Sequence, residues 1–342
     1  MESANGYIDI RMKALSIGKI RGLQQISTAA GHFIMCAMDH RSGLIAMLED
    51  AQHEVPDYDE IVQLKLDMCS TMGAFSSGVL LDPEYGAAQC IAGNALSGRT
   101  GLLVSIEATG YEKDPTGRLT TLLADWNVEK IKRMGASAVK ILVYYRPDIK
   151  NLAAKQLKII GDVASDCNKY DIPLLVEPKT YRVEGEVMDS TEFARRLPEM
   201  VIETARQITE LPVDVLKAEF PADVKYEKDP AKLAGYCRGL DAASRIPWVI
   251  LSAGVDYETF KQQVTIACRA GASGFLGGRA VWQEALEISG RAERLKFFRE
   301  VAGSRLKELS KITADNAKPW FAKMGVKESE IAGTAADWYR KY

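Results

Sequence analysis

The sequence predicts an α/β protein built as a closed (β/α)8 or TIM barrel with extra N-terminal and C-terminal helices. Three observations carry that prediction. Short β-rich apolar runs alternate with longer segments of helical periodicity, the pattern of parallel β/α units. Eight such runs can be counted along the 342 residues. Several open on Gly or Pro punctuation: Gly135-Ala136, Ile172-Pro173, Leu211-Pro212, Ile246-Pro247 and Gly271-Ala272.

The expected strands are Phe33–Met38, Gly78–Leu81, Leu102–Ile106, Ala138–Tyr144, Pro173–Glu177, Val213–Glu219, Trp248–Leu251 and Gly274–Leu276. Apolar residues at successive positions suit strands covered on both faces, as a parallel sheet coated by helices requires. Helices are expected over Asp59–Met72, Ala124–Met134, Leu152–Asn168, Glu192–Thr209, Ala231–Ala243 and Tyr257–Ala270. A barrel of this kind needs about 250 residues or more. No low-complexity linker or composition shift divides the chain, so one domain is expected over residues 1–342. Its barrel core would span about 31–290, with a helical cover at 1–30 and a helical extension at 291–342. A doubly wound open sheet is the alternative fold.

Composition narrows the function. Lys and Arg total 44 against 46 Asp and Glu, a formal charge of -2, so nothing global favours nucleic acid or an anionic membrane, and an anionic ligand must be held locally. The six cysteines are widely spaced with no C-x-x-C pair and read as reduced cytoplasmic thiols. Three histidines, His32, His40 and His53, with no paired-ligand spacing argue against a dedicated metal site. No apolar run approaches the roughly 18 residues of a membrane span, and the N-terminus lacks a secretory signal, so a soluble cytoplasmic protein is expected.

Polar residues late in apolar strands carry the chemistry, because barrel enzymes gather their reactive groups at the carboxyl ends of the strands. Lys217 stands inside V-D-V-L-K-A-E-F-P, where a buried amine is pushed toward the neutral, nucleophilic form. Lys140 lies in the fourth strand, Glu177 ends the fifth and Asp39 follows the first. Two lysines in one enclosure oppose each other's ionisation, and Glu177 is placed for proton transfer. Burial raises a carboxylate's proton affinity while neighbouring lysines lower it, so the direction for Glu177 stays open. Taken singly, Lys217 can snorkel or pair with Glu219, Lys140 can be an ion-pair partner, Glu177 a cap and Asp39 a turn residue. Their convergence at the strand ends of one fold favours the catalytic reading.

The last two units add an anion site. Ser252-Ala253-Gly254 forms a small-residue turn after the seventh strand, and Gly277-Gly278-Arg279 follows the eighth. Glycines admit close backbone approach, Arg279 offers a charge-assisted contact, and loops after the last two barrel strands commonly hold phosphate.

The segments A-M-D-H-R around Asp39, L-L-D-P-E-Y-G (Leu80–Gly86), A-V-K-I-L-V-Y-Y (Ala138–Tyr145), D-V-L-K-A-E-F-P (Asp214–Pro221), L-S-A-G-V (Leu251–Val255) and G-G-R-A-V-W around Arg279 occur in an informative order. Together they resemble the class I tagatose 1,6-bisphosphate aldolases, the Schiff-base lineage, which includes a branch acting on sulfofructose phosphate. The resemblance implies that Lys217 forms the imine, that Glu177 is the acid and base, and that Lys140 and Asp39 contact substrate. It also implies that Ser252, Ala253, Gly254, Gly277, Gly278 and Arg279 hold a phosphate. No cofactor and no metal are implied. Beside the first-strand aspartate the family usually has glutamine followed by Arg-Gly, whereas this chain has His40-Arg41-Ser42. His40 and Arg41 therefore fall where the distal part of a substrate would bind, and Lys179 and Arg182 are further candidates for its anion.

The expected activity is cleavage of a phosphorylated ketose, tagatose 1,6-bisphosphate or a close analogue, to dihydroxyacetone phosphate and an aldehyde such as glyceraldehyde 3-phosphate. A sulfofructose 1-phosphate aldolase yielding sulfolactaldehyde, a deoxyribose-phosphate type aldolase and a non-catalytic sugar-phosphate sensor are the alternatives. A homo-oligomer is expected from the family and from the terminal aromatics Phe297-Phe298, Trp320-Phe321 and Trp338-Tyr339, for which intrachain packing is the other reading.

Overall fold

The structure is a computed structural model and describes residues 15–324, 337–340 and 342. Ten strands follow in chain order: β1 (Phe33–Ala37), β2 (Gly78–Leu81), β3 (Gly101–Ser105), β4 (Glu112–Asp114), β5 (Gly117–Leu119), β6 (Ala138–Tyr144), β7 (Leu174–Lys179), β8 (Val215–Ala218), β9 (Trp248–Leu251) and β10 (Gly274–Gly277). Eight of them close a barrel in the order β1-β10-β9-β8-β7-β6-β3-β2, and every pairing is parallel. The (β/α)8 expectation holds, and the open-sheet alternative is excluded by closure.

Both faces of the strands are covered, which explains their continuous apolar character. Phe33, Met35, Ala37, Leu80, Leu103, Ala138, Leu175, Val215, Val249 and Leu276 form the barrel interior, joined by Leu23, Ile26 and Trp320. The alternate residues, such as Ile34, Cys36, Val79, Leu81, Val139, Val176 and Leu216, pack outward in the larger cluster with the helices. Leu23 and Ile26 come from the N-terminal cover, a helix over Ile17–Gln25 whose Ser16 cap accepts a hydrogen bond from the Lys19 N–H at 3.2 Å.

The surrounding helices start where the sequence supplies side-chain acceptors for orphan N–H groups. Asp57 and Glu60 form a reciprocal capping box on Tyr58–Met72. Ser190 caps Thr191–Ile208, and Asp256 caps Tyr257–Ala270. Asp229 precedes the N-terminal Pro230 of Pro230–Ala243. The helix expected from Ala124 begins only at Val128, because Asp125 takes a left-handed φ of 57° and Asn127 supplies the cap. Helices Ser42–Gln52 and Ala87–Ala92 and the antiparallel hairpin β4–β5 were not foreseen.

Several strand ends shift, most of all in β7 and β8. β7 runs on to Lys179, so Glu177 is the fourth of six strand residues rather than the last. β8 is shorter than expected, and Asp214 and Glu219 lie outside it. Of the terminal aromatics, Phe298 and Trp320 are buried within their own chain, whereas Trp338 and Tyr339 are exposed. No helix among the described residues is long and apolar enough to cross a membrane.

Candidate active site

Side chains in a strand alternate between faces, so the interior residues fix which later positions share that interior. Val215 is interior, and two residues on stands Lys217. By the same step Leu175 leads to Glu177 and Lys179, Ala138 to Lys140, Ala37 to Asp39, and Leu103 to Ser105 and then Glu107. The register Val176↔Leu216 sets Glu177 beside Lys217 on the neighbouring strand, and Ser105↔Lys140 aligns β3 with β6. Lys217, Glu177, Lys140, Asp39 and Glu107 thus meet at the carboxyl end of the barrel.

Glu177 Oε2 lies 2.8 Å from Lys217 Nζ and 3.2 Å from Lys140 Nζ. Lys140 Nζ also donates to Asp39 Oδ2 at 2.7 Å and to Glu107 Oε1 at 2.6 Å. Lys217 and Lys140 are both buried. Burial opposes the charge on Lys140, but Asp39, Glu107 and Glu177 outweigh it and hold the lysine well above its ordinary pKa. Burial likewise favours the protonated form of Glu177, yet Lys217 and Lys140 prevail and lower its pKa. That settles the direction left open by the sequence, since two cations beside one carboxylate exceed the desolvation it suffers. Asp39 is lowered in the same way, its burial overcome by Lys140 and Lys217.

Lys140 and Lys217 were expected to oppose each other's ionisation in one enclosure, with an ion pair as the other reading of Lys140. Three carboxylates surround Lys140, so much of its field is offset, and its charge helps hold Asp39 and Glu177 ionised. Glu107 was not singled out from the sequence, although it directly follows the expected strand Leu102–Ile106; a charged residue just past an apolar run is the signal that could have found it, and the register places it beside Lys140.

The floor beneath Asp39 and His40 is held by another buried pair. Lys65 contacts Asp82 and donates to Met38 O at 3.0 Å and His40 O at 2.8 Å. Asp82, in L-L-D-P-E-Y-G, accepts from the N–H groups of Glu84 and Tyr85 at 3.0 and 2.7 Å. A buried lysine satisfied by one carboxylate and two carbonyls fixes the chain leaving β1.

A cavity of about 370 Å³ opens above these groups. Its walls include Glu177 and Lys217, with His40, Ser252, Ala253, Gly278 and Arg279 on one side and Arg118, Tyr144, Lys179 and Tyr181 on the other. Ala253 (φ 49°) and Gly254 (φ 81°) are consecutive left-handed residues, which curl the turn after β9. A Cβ on Gly254 would lie 2.9 Å from the Arg279 guanidinium carbon, so the glycine makes room for the arginine. Gly278 N–H donates to Ser252 Oγ at 3.2 Å, tying the two turns together, while Gly277 is buried in β10. His40 packs edge-on against Trp282, with ring centroids 5.2 Å apart. Burial, with help from Arg279, Lys217 and Lys65, pushes its pKa down to about 4 against the pull of Asp39, so the ring is neutral near pH 7.

Arg41 does not join this cavity. Its buried guanidinium donates to Glu84 Oε2 at 2.9 Å and to the Glu107 carbonyl at 2.8 Å. Burial disfavours its charge, but Glu107 and Glu84 raise its pKa. Its donors are committed to bracing Glu107, which corrects the reading of Arg41 as a substrate-anion ligand. Lys179 does line the cavity and is paired with Glu219, whereas Arg182 is not part of the lining. A larger cavity, about 480 Å³, lies at the amino-terminal end of the barrel around Lys19 and Asp214, paired at 2.8 Å. It contains none of the clustered groups, so size is no guide to the chemistry here.

A family model described as DeoC/LacD family aldolase matches residues 33–284. The chain belongs to this family. It is an enzyme, a lyase of the class I aldolase type, and membership implies a phosphorylated sugar as substrate. The tagatose 1,6-diphosphate aldolase of Staphylococcus aureus (strain MSSA476) is 33% identical over 319 residues, covering 88% of this chain and 97% of the relative. That of Staphylococcus haemolyticus (strain JCSC1435) is 33% identical over 324 residues, covering 89% and 98%. Among solved structures, a Schiff-base-forming fructose-1,6-bisphosphate aldolase is similar with a TM-score of 0.52 at 25% identity, over 82% of this chain and 97% of its own. Fructose-bisphosphate aldolase from Plasmodium falciparum shares the fold with a TM-score of 0.67 at 16% identity, over 93% and 98%.

Proposed function

We propose that the protein reversibly cleaves a phosphorylated ketose, tagatose 1,6-bisphosphate or a close analogue, through an imine on Lys217. The observation that carries this reading is the Glu177 oxygen placed 2.8 Å from Lys217 Nζ, at the foot of a cavity whose wall holds Ser252 and Arg279.

The unprotonated amine of Lys217 adds to the C2 carbonyl, and loss of water gives a protonated imine. Glu177, kept ionised by its two lysines, removes the proton of the C4 hydroxyl. The C3–C4 bond breaks, its electron pair enters the iminium to form an enamine, and the C4 fragment leaves as an aldehyde. Protonation of the enamine at C3 and hydrolysis release dihydroxyacetone phosphate and restore the amine. The cationic Lys140 and the carboxylate of Asp39 orient substrate hydroxyls. Ser252, Ala253, Gly278 and Arg279 grip the C1 phosphate, with Gly254 and Gly277 shaping the turns and neutral His40 closing the wall beside Gly278. The imine is the electron sink, so the scheme uses no cofactor.

Borohydride added with dihydroxyacetone phosphate is expected to fix a mass adduct on Lys217, read by peptide mapping. An adduct on Lys140, or none at all, overturns the assignment. Cleavage is also expected to survive chelator, and a loss in EDTA that zinc restores would count against the scheme.

A further inference from the structure

Two cations lining the cavity, Arg118 and Lys179, have no role in the scheme so far. Arg118 lies on β5 of the hairpin, and its guanidinium carbon sits 4.5 Å from the ring centre of Tyr111, 5.0 Å from Tyr181 and 5.5 Å from Tyr144. Aromatic faces hold a guanidinium without neutralising it. Among the described residues, no carboxylate pairs with Arg118. Other cations near this end of the barrel differ: Lys179 is paired with Glu219, Arg41 with Glu84, and Arg146 with Asp148 and Glu186.

The hairpin is built to hold Arg118 still. Its backbone N–H donates to Tyr181 Oη at 3.1 Å, and its carbonyl accepts from Gln156 Nε2 at 3.1 Å. Gln156 Nε2 also donates to Tyr144 O at 2.9 Å, and Tyr144 N–H donates to Thr120 Oγ1 at 3.0 Å. Gly117 is required here, since a Cβ on it would lie 2.3 Å from Tyr181 Oη. The ordering of a long side chain is thus paid before any ligand arrives.

Barrel order supplies the direction. Arg279 follows β10 and Tyr144 belongs to β6, four places apart in a ring of eight, hence on opposite sides of the mouth. Lys217 on β8 stands midway, and Glu177 on β7 lies on the Arg118 side of it. A ketose with its C1 phosphate at Arg279 and C2 at Lys217 carries C4 past Glu177 and its far end toward Arg118.

We propose that Arg118, in its tyrosine cage, grips a phosphate monoester on the aldehyde half of the substrate and sets the enzyme's preference for phosphorylated over unphosphorylated aldehydes. This rests on the imine reading above. A charge-assisted, bidentate guanidinium contact predicts a preference of roughly 10–100-fold.

The test is condensation of dihydroxyacetone phosphate with glyceraldehyde 3-phosphate and with glyceraldehyde. In Arg118→Met the ratio of kcat/KM for the two aldehydes is expected to fall roughly 10–100-fold, and Arg118→Lys is expected to recover part of it. A ratio unchanged in Arg118→Met, whether both rates fall together or neither moves, overturns the proposal. Failure of the imine reading looks different, because wild-type protein then traps no adduct at Lys217. Direct titration with glyceraldehyde 3-phosphate reads the grip without turnover, and equal affinities in wild type and Arg118→Met overturn it independently.

Discussion

Glu177 approaches Lys217 and Lys140 with the same oxygen, Oε2, at 2.8 and 3.2 Å, so the carboxylate that serves the nucleophile is held by the neighbouring cation. This arrangement joins acid–base work to a fixed electrostatic environment. In Glu177→Gln the shape is kept while the base is lost. Turnover is expected to fall about 10²–10⁴-fold, the usual range for a general base. Steady-state cleavage rates check this, and a variant within twofold of wild type would remove Glu177 from the scheme.

Lys140→Met leaves Asp39, Glu107 and Glu177 buried without their shared cation. Removing one partner of a buried ion pair costs about 3–5 kcal/mol. Urea unfolding of the variant is expected to show a loss of that order, with the acid limb of any remaining activity moved to higher pH because Glu177 loses one of the charges holding it ionised. A loss below about 1 kcal/mol would mean that Asp39 and Glu177 do not depend on Lys140 for their charge.

Acid sensitivity is expected in two windows. The folded pKa of Glu177 lies below its ordinary value of 4.5, so its stabilisation is complete above 4.5 and is lost as pH falls through the depressed folded value. Asp39 behaves in the same sense. His40 acts earlier: the unfolded ring takes up a proton near 6.5 while the folded ring resists until about 4, so stability declines across that interval. His40→Gln is expected to flatten the stability curve between those values and to leave the steeper loss below 4.5. Unfolding midpoints measured against pH decide it.

Gly254→Ala places a side chain at φ 81° and sets its Cβ 2.9 Å from the Arg279 guanidinium. The backbone strain is about 1–3 kcal/mol, and the arginine must move. The affinity for dihydroxyacetone phosphate is expected to weaken by roughly tenfold, the loss of about 1.4 kcal/mol from one displaced charge-assisted contact. Undiminished binding of that ligand would place its phosphate elsewhere.

The sequence by itself carried the eight barrel strands, because strands buried on both faces show as unbroken apolar runs and their starts carry Gly or Pro. It also carried Lys217, Lys140, Glu177 and Asp39, since a charged residue inside or just past such a run is conspicuous. The hairpin β4–β5 was missed because its strands E-K-D and G-R-L are three residues each and lack apolar alternation, although Asp114-Pro115-Thr116-Gly117 between them is a turn signature. Arg118 was hidden with it. Arg41 and Arg118 look alike in sequence, each a cation near polar neighbours, and only tertiary contacts separate them. Arg41 is consumed by Glu84 and Glu107, whereas Arg118 meets aromatic faces and the cavity. The same holds for the charge state of Glu177, which depends on the balance between desolvation and two lysines from other strands. Periodicity is a local property and survives in the sequence, but electrostatics at a strand end sums over groups brought together by barrel closure, and that sum is fixed only in three dimensions.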